Sequence, residues 1–166
     1  MLLILSLILY APIAMIIHEL GHLVAARKCG VRASELGLGI GPKLFGFRLG
    51  TLRFSVRAFP VASFVLLDGT QLEERTIRQQ LLVHLGGVIL NSAVGLLFFG
   101  TMFGWFNFLL AAGNLLPLYK HDGWKCGVVV VRALLQRKSE PVERVFTYSG
   151  GFLSLVFVVA IIRMFV

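Results

Sequence analysis

Met1 to Ala26 form an apolar run longer than a bilayer-crossing helix requires, yet this run carries His18, Glu19 and His22. Roughly 20 such residues suffice to span a membrane. Ionisable groups inside one are costly unless they pair or hold something. In His18-Glu19-Leu20-Gly21-His22 the histidines stand four apart, a little over one helical turn, so both imidazoles leave the same side. Two neutral imidazoles so placed can grip one zinc, with Glu19 beside them as a base. Without a metal, the cluster would be left with polar atoms unsatisfied in an apolar setting. A signal peptide does not fit, because no basic segment precedes the run and the run is too long. The expected element is a spanning helix with its N-terminus outside.

The remainder of the chain is similar in character. It has 166 residues, 57% of them hydrophobic, and a mean hydropathy of +0.86. A soluble domain of this size could not keep so much apolar surface from water, so the bilayer is the solvent to consider. The net charge is +8, and nine of the sixteen Lys and Arg residues fall between Arg27 and Arg78. Six more lie between Lys120 and Arg144. Basic stretches beside spans are retained in the cytosol, which places both there. The same placement suits attraction to anionic headgroups and argues against a nucleic-acid partner. Cys29 and Cys126 fall on that side, where thiols stay reduced, and neither belongs to a CxxC pair.

The fold class predicted is an α-helical polytopic membrane protein. It has about four transmembrane helices around a three-helix catalytic core, with a small re-entrant β-hairpin. The spans are expected at about 2–26, 81–103, 108–135 (broken at Pro117) and 145–166. The whole chain, 1–166, reads as one membrane-embedded domain with both termini outside and no room for an appended soluble domain. Leu72 to Gln80 read as a polar lead-in, Trp105 and Phe106 as an outer interfacial turn, and Gln136 to Arg144 as a linker. Between about 44 and 67 the period changes to two. Phe45, Phe47 and Leu49 alternate, Gly50-Thr51 intervenes, and Leu52, Phe54 and Val56 alternate again. This predicts a hairpin pairing Leu49 with Leu52, Phe47 with Phe54 and Phe45 with Val56. Arg48 then faces Arg53, with Arg57 on the same side, which is unfavourable unless something anionic or watery covers them. The hairpin therefore belongs at the cytosolic boundary, and a further strand-like run, Val61 to Leu67, follows Pro60.

A catalytic zinc takes three protein ligands and keeps one position open. Asp122 meets the requirements for the third. It follows the helix break at Leu116-Pro117, sits beside Gly123, and falls near the same membrane depth as His22. His121 is a rival one residue away. His84 reads as a headgroup-level or pore-lining histidine.

Taken together, these motifs resemble the site-2 protease family of intramembrane zinc metalloproteases. HELGH at 18–22 is similar to the family's first motif, and Asn114 to Gly123 is similar to its second, NxxPxxxxDG. Gly86 to Asn91 resembles its GPxxN element, with Gly87 and Val88 departing from it. Phe59 to Phe64 resembles the edge of its re-entrant β-loop, with Ala62-Ser63 where two glycines are common. Tyr119-Lys120-His121 replaces the frequent Pro-Pro-Leu, and the departures bear on substrate selectivity more than on catalysis. The resemblance covers about residues 10 to 135. It implies His18, His22 and Asp122 as ligands to one Zn2+ per chain and Glu19 as general base. Asn91 and Asn114 become contacts to a substrate backbone or oxyanion, or else helix–helix hydrogen bonds. Val61, Ala62, Ser63 and Phe64 become a strand that receives an unwound substrate, or else a plug on the cytosolic face.

The implied activity is hydrolysis of peptide bonds in or near a transmembrane segment, for regulated intramembrane proteolysis or precursor processing. The implied partners are a transmembrane protein or membrane-bound peptide and the lipid bilayer, with a regulatory membrane partner and the oligomeric state left open. The implied location is the cell membrane, with the active site near the cytosol. Two other readings compete: a non-catalytic zinc-binding scaffold, which has no need of Glu19, and a metal transporter or store, which needs ligands strung across the bilayer rather than gathered at one depth.

Overall fold

The first helix, α1 (Leu2–Lys28), continues two residues past the expected end and closes on Arg27 and Lys28, cations that suit the negative end of the helix dipole. This computed structural model describes residues 2–135 and 140–165, so residues 136–139 of the expected linker lie outside the described residues. The chain divides into two units, Met1–Ala112 and Gly113–Val166.

In the first unit α1 is followed by β1 (Ala33–Leu49), β2 (Leu52–Leu67), α2 (Gly69–Glu73), α3 (Ile77–Leu97) and α4 (Met102–Leu115, which runs on into the second unit). The expected hairpin pairs are all present: Leu49 with Leu52, Phe47 with Phe54, Phe45 with Val56 and Arg48 with Arg53. The β element, however, starts at Ala33 rather than near residue 44. Gly37, Gly39, Gly41 and Pro42 interrupt the alternation there, so the sequence gives no period-two signal. Its outer halves pair as well, Leu36 with Val65 and Leu38 with Ser63. In addition Glu35, Leu36, Gly37 and Leu38 pair with Arg53, Phe54, Ser55 and Val56, the numbers rising together on both sides. A straight hairpin cannot do this. The long hairpin is folded back on itself, so residues 52–57 run alongside residues 35–38. Gly39 (φ 96°) and Gly41 (φ 86°) make the bend in one strand, a region that side chains other than glycine rarely enter.

Folding back carries Leu52 onto α1, where it is fully buried in a cluster with Leu23 and Leu36. A second cluster joins Ala25, Ala26, Cys29, Val31, Leu72 and Val83. Between α1 and α3 the backbones meet. A Cβ at Gly86 would lie 2.5 Å from the Gly21 carbonyl oxygen, and one at Gly21 would strike the Gly86 carbonyl. Small residues allow this close approach where lipid supplies no hydrophobic drive between helices.

Helix α3 begins at Ile77 rather than Leu81, because Thr76 and Gln79 form a capping box inside the expected lead-in. It ends at Leu97 rather than Phe103. Gly100 takes a positive φ and the Thr101 hydroxyl accepts from the Gly104 amide at 3.1 Å, which starts α4 there. Trp105 and Phe106, expected in a turn, are therefore inside α4.

In the second unit the chain leaves α4, breaks around Pro117 as expected, and forms α5 (Asp122–Leu135) and α6 (Glu140–Phe165). Arg132 grips Glu143 with two hydrogen bonds of 2.7 and 2.9 Å, and the Trp124 indole donates to the Phe146 carbonyl at 3.2 Å. Among the described residues three helices are long and apolar enough to cross a membrane: 9–28, 77–97 and 140–160. Helices α4 and α5 have 14 residues each, which is about 21 Å apiece and short of a hydrocarbon layer of about 30 Å.

Candidate metal centre

Both histidines of the first motif project from one side of α1 and are buried. Their Nε2 atoms converge to 3.1 Å, with the rings edge to face, 82° apart in plane. The Nδ1 of His22 lies 2.8 Å from the Val83 carbonyl oxygen on α3. A carbonyl can only accept, so this contact puts the proton on Nδ1 and turns the Nε2 lone pair toward His18. Two nitrogens on one tetrahedral zinc, each at about 2.0–2.1 Å, stand about 3.3 Å apart, and the observed spacing is close to that. The opposite wall leaves room. A Cβ at Gly87 would come within 2.6 Å of both His18 Cε1 and His22 Nε2. The donor chemistry, the spacing and the space opened by Gly87 all fit a zinc ion.

Glu19, between the two histidines, is also buried. One of its oxygens accepts a 2.9 Å hydrogen bond from the Ser63 hydroxyl, which lies 3.2 Å from the Met15 carbonyl as well. The neighbours of Ser63 are turned elsewhere. Val61 is 69% exposed and Ala62 is half-buried. The ring of Phe64 lies over Gly37, with the Arg57 guanidinium 5.3 Å from its centre.

Two of the three like charges of the hairpin, Arg53 and Arg57, lie beside an acidic residue that no local pattern singles out. Glu35 accepts from Ser55 at 2.6 Å and stands 3.9 Å from Arg53 and 4.0 Å from Arg57.

Asn91 on α3 is fully buried, and neither atom of its amide has a hydrogen-bond partner among the described residues. Asn107 on α4, also missed in the sequence, is equally buried. Its Nδ2 donates to the Phe103 carbonyl at 2.9 Å and its Oδ1 has no partner among the described residues. The available signal was a lone amide in a run of apolar residues. His84 sits within α3, not at its start, and is half-buried.

In the second unit Asp122 opens α5, where a carboxylate suits the positive end of the helix dipole. Its side chain is 3% exposed and one oxygen is 3.0 Å from the Lys125 ammonium. Gly123 is required for space: a Cβ there would strike the Leu115 carbonyl, and its φ is not positive. His121 donates through Nδ1 to the Gly113 carbonyl at 3.0 Å, which engages one of its two ring nitrogens. Asn114, half-buried, lies near the end of α4.

Residues 4–103 match the sequence profile of peptidase family M50. That stretch contains His18, Glu19, His22, Ser63, Gly87 and Asn91 and stops before Asn114 and Asp122. The chain is similar to a Clostridium perfringens protein named as a zinc metalloprotease, 33% identical over 92 residues, 51% of this chain and 28% of the relative. It is similar also to the zinc metalloprotease RasP of Shouchella clausii, 35% identical over 74 residues, 45% of this chain and 18% of the relative. A Nostoc protein named as a zinc metalloprotease is 32% identical over 100 residues, 53% of this chain and 28% of the relative. The chain spans less than a third of the length of these relatives.

Proposed function

Since the chain belongs to peptidase family M50, we propose that it is a site-2-type intramembrane zinc endopeptidase cutting peptide bonds in or near a transmembrane segment. The observation that carries this reading is the pair of buried imidazoles on α1, with Nε2 atoms 3.1 Å apart and a buried carboxylate between them. A structural zinc site closes on four protein ligands and has no use for a base. Here the base is present.

In this reading His18, His22 and Asp122 hold one zinc. A bound zinc supplies Lewis acidity, acidifying water and polarising a carbonyl. Glu19 takes the proton of the attacking water and delivers it to the leaving amine. The Val83 carbonyl keeps His22 in the ligating tautomer, and Gly87 keeps the space beside it open. Asn91 and Asn114 are proposed to donate to the substrate backbone or the developing oxyanion. The outer edge of residues 61–64 is proposed to receive the unwound substrate as an added strand, which exposes the scissile bond. Helices α4 and α5, each too short alone, are proposed to make a fourth crossing together. The basic stretches then lie in the cytosol with the site near them, and both ends of the chain lie outside.

The test compares the termini of membrane proteins in cells carrying wild type or Glu19→Gln. New termini in or beside spanning segments, present with wild type alone, are expected and would name the substrates. Identical termini from two zinc-loaded proteins would replace this reading with a non-catalytic one.

A further inference from the structure

Ser63 places a hydroxyl from the sheet against the buried Glu19 carboxylate. We infer that Ser63 is a positioning residue that fixes the Glu19 carboxylate from the sheet. The inference rests on the proteolytic reading above and goes beyond it by coupling the base to the strand proposed to bind substrate.

A serine hydroxyl has one proton, and two acceptors lie within its reach. The Met15 carbonyl, at 3.2 Å, stands four residues before Glu19 and is already served by the Glu19 amide within α1. The Glu19 oxygen is closer, at 2.9 Å, and a charged acceptor makes the stronger bond. The proton therefore goes to Glu19. One carboxylate oxygen is held and the other is left for the attacking water.

Only one side chain of this stretch can do this. Side chains alternate along a strand, and Phe64 is spent over Gly37 on the other face. The pairing of Ser63 with Leu38 fixes the register. A slip of one residue would bring Ala62 or Phe64 against Glu19 and leave the carboxylate unheld. Since Ser63 belongs to the edge stretch at 61–64, a substrate strand docking there settles the same backbone that orients the base. The contact thus acts on the chemical step and not on substrate affinity.

The experiment uses the full chain, zinc-loaded, in detergent or vesicles, with a peptide carrying a cleavage site found by the termini comparison. Ser63→Ala should lower kcat by roughly 10-fold or more, the scale seen when a supporting hydrogen bond is removed from a metal site. KM should stay within about twofold, zinc should remain one per chain, and Ser63→Thr should restore most of kcat. Infrared difference spectra of labelled glutamate should show a carboxylate band shifted by Ser63→Ala and unaffected by it in the Glu19→Gln background. An unshifted band, an unchanged kcat, a rise in KM alone or a loss of zinc in Ser63→Ala would each overturn the assignment. A zinc-loaded wild type no more active than Glu19→Gln would instead sink the proteolytic reading, while the infrared shift still decides whether Ser63 holds Glu19.

Discussion

Gly87 shows how much of the proposed metal site depends on an atom that is missing. The Cβ of Ala at 87 would need the volume of His22 Nε2 and His18 Cε1, both 2.6 Å from it, and buried ring nitrogens on a helix have little room to withdraw. Gly87→Ala is expected to weaken zinc affinity by roughly 10–100-fold, as disturbed metal-site surroundings commonly do, with the helices still formed; chelator competition measures it. The sequence singled out His18, Glu19 and His22 because a polar cluster in an apolar helix has few physical uses, and all three are buried, with the two imidazoles converging. Glu35 was not singled out. Its meaning depends on lying beside Arg53 and Arg57 across a pairing that no local pattern encodes. Asn107 escaped for a similar reason, since burial of an amide to 0% exposure is a property of neighbours and not of its own segment.

Among the elements, the distal hairpin was read correctly down to its register, because Gly50-Thr51 and the flanking alternation are local signals. The fold-back was not legible. Three glycines and a proline between 37 and 42 look like a loop, and only the parallel pairing of 35–38 with 53–56 turns them into the crease of a sheet. Helix ends shifted wherever a cap lay inside a stretch judged by polarity alone, as at Thr76 and Thr101. The stretch 61–67 carries the element's own prediction. Proline in place of Ala62, within the stretch proposed to receive substrate, removes a backbone donor and resists a neighbouring strand. Cleavage should be lost while zinc stays bound, because the two histidines belong to α1. Zinc analysis beside a cleavage assay checks it, and unimpaired cleavage would rule out strand addition.

For the molecule as a whole, apolar side chains on the outside are the dominant fact. Leu97, Leu109, Phe152 and Leu155 are each more than 60% exposed, which is untenable in water over so many positions and ordinary in lipid. The membrane class was legible from composition. The number of crossings was less so, because a break near Pro117 divides one apolar stretch into two helices of 14 residues.

The seat of Leu52 against Leu23 has a consequence in time. The end of α1 leaves the ribosome before the hairpin tip does, so the helix bearing the histidines emerges with its C-terminal end unclad. The tip pairs are close in sequence and close quickly, whereas the fold-back must wait for the rest of β2 to pair with residues 33–38 and for α1 to be in place. Assembly of this end of the molecule is therefore sequential, with the sheet arriving as a late clasp on a helix already inserted. Cysteines at 23 and 52 in ribosome-stalled chains of increasing length, with the native cysteines replaced, report it. A bismaleimide cross-link should appear only once β2 has cleared the exit tunnel in full, and one that forms as soon as residue 52 emerges would show that the clasp closes without the rest of β2.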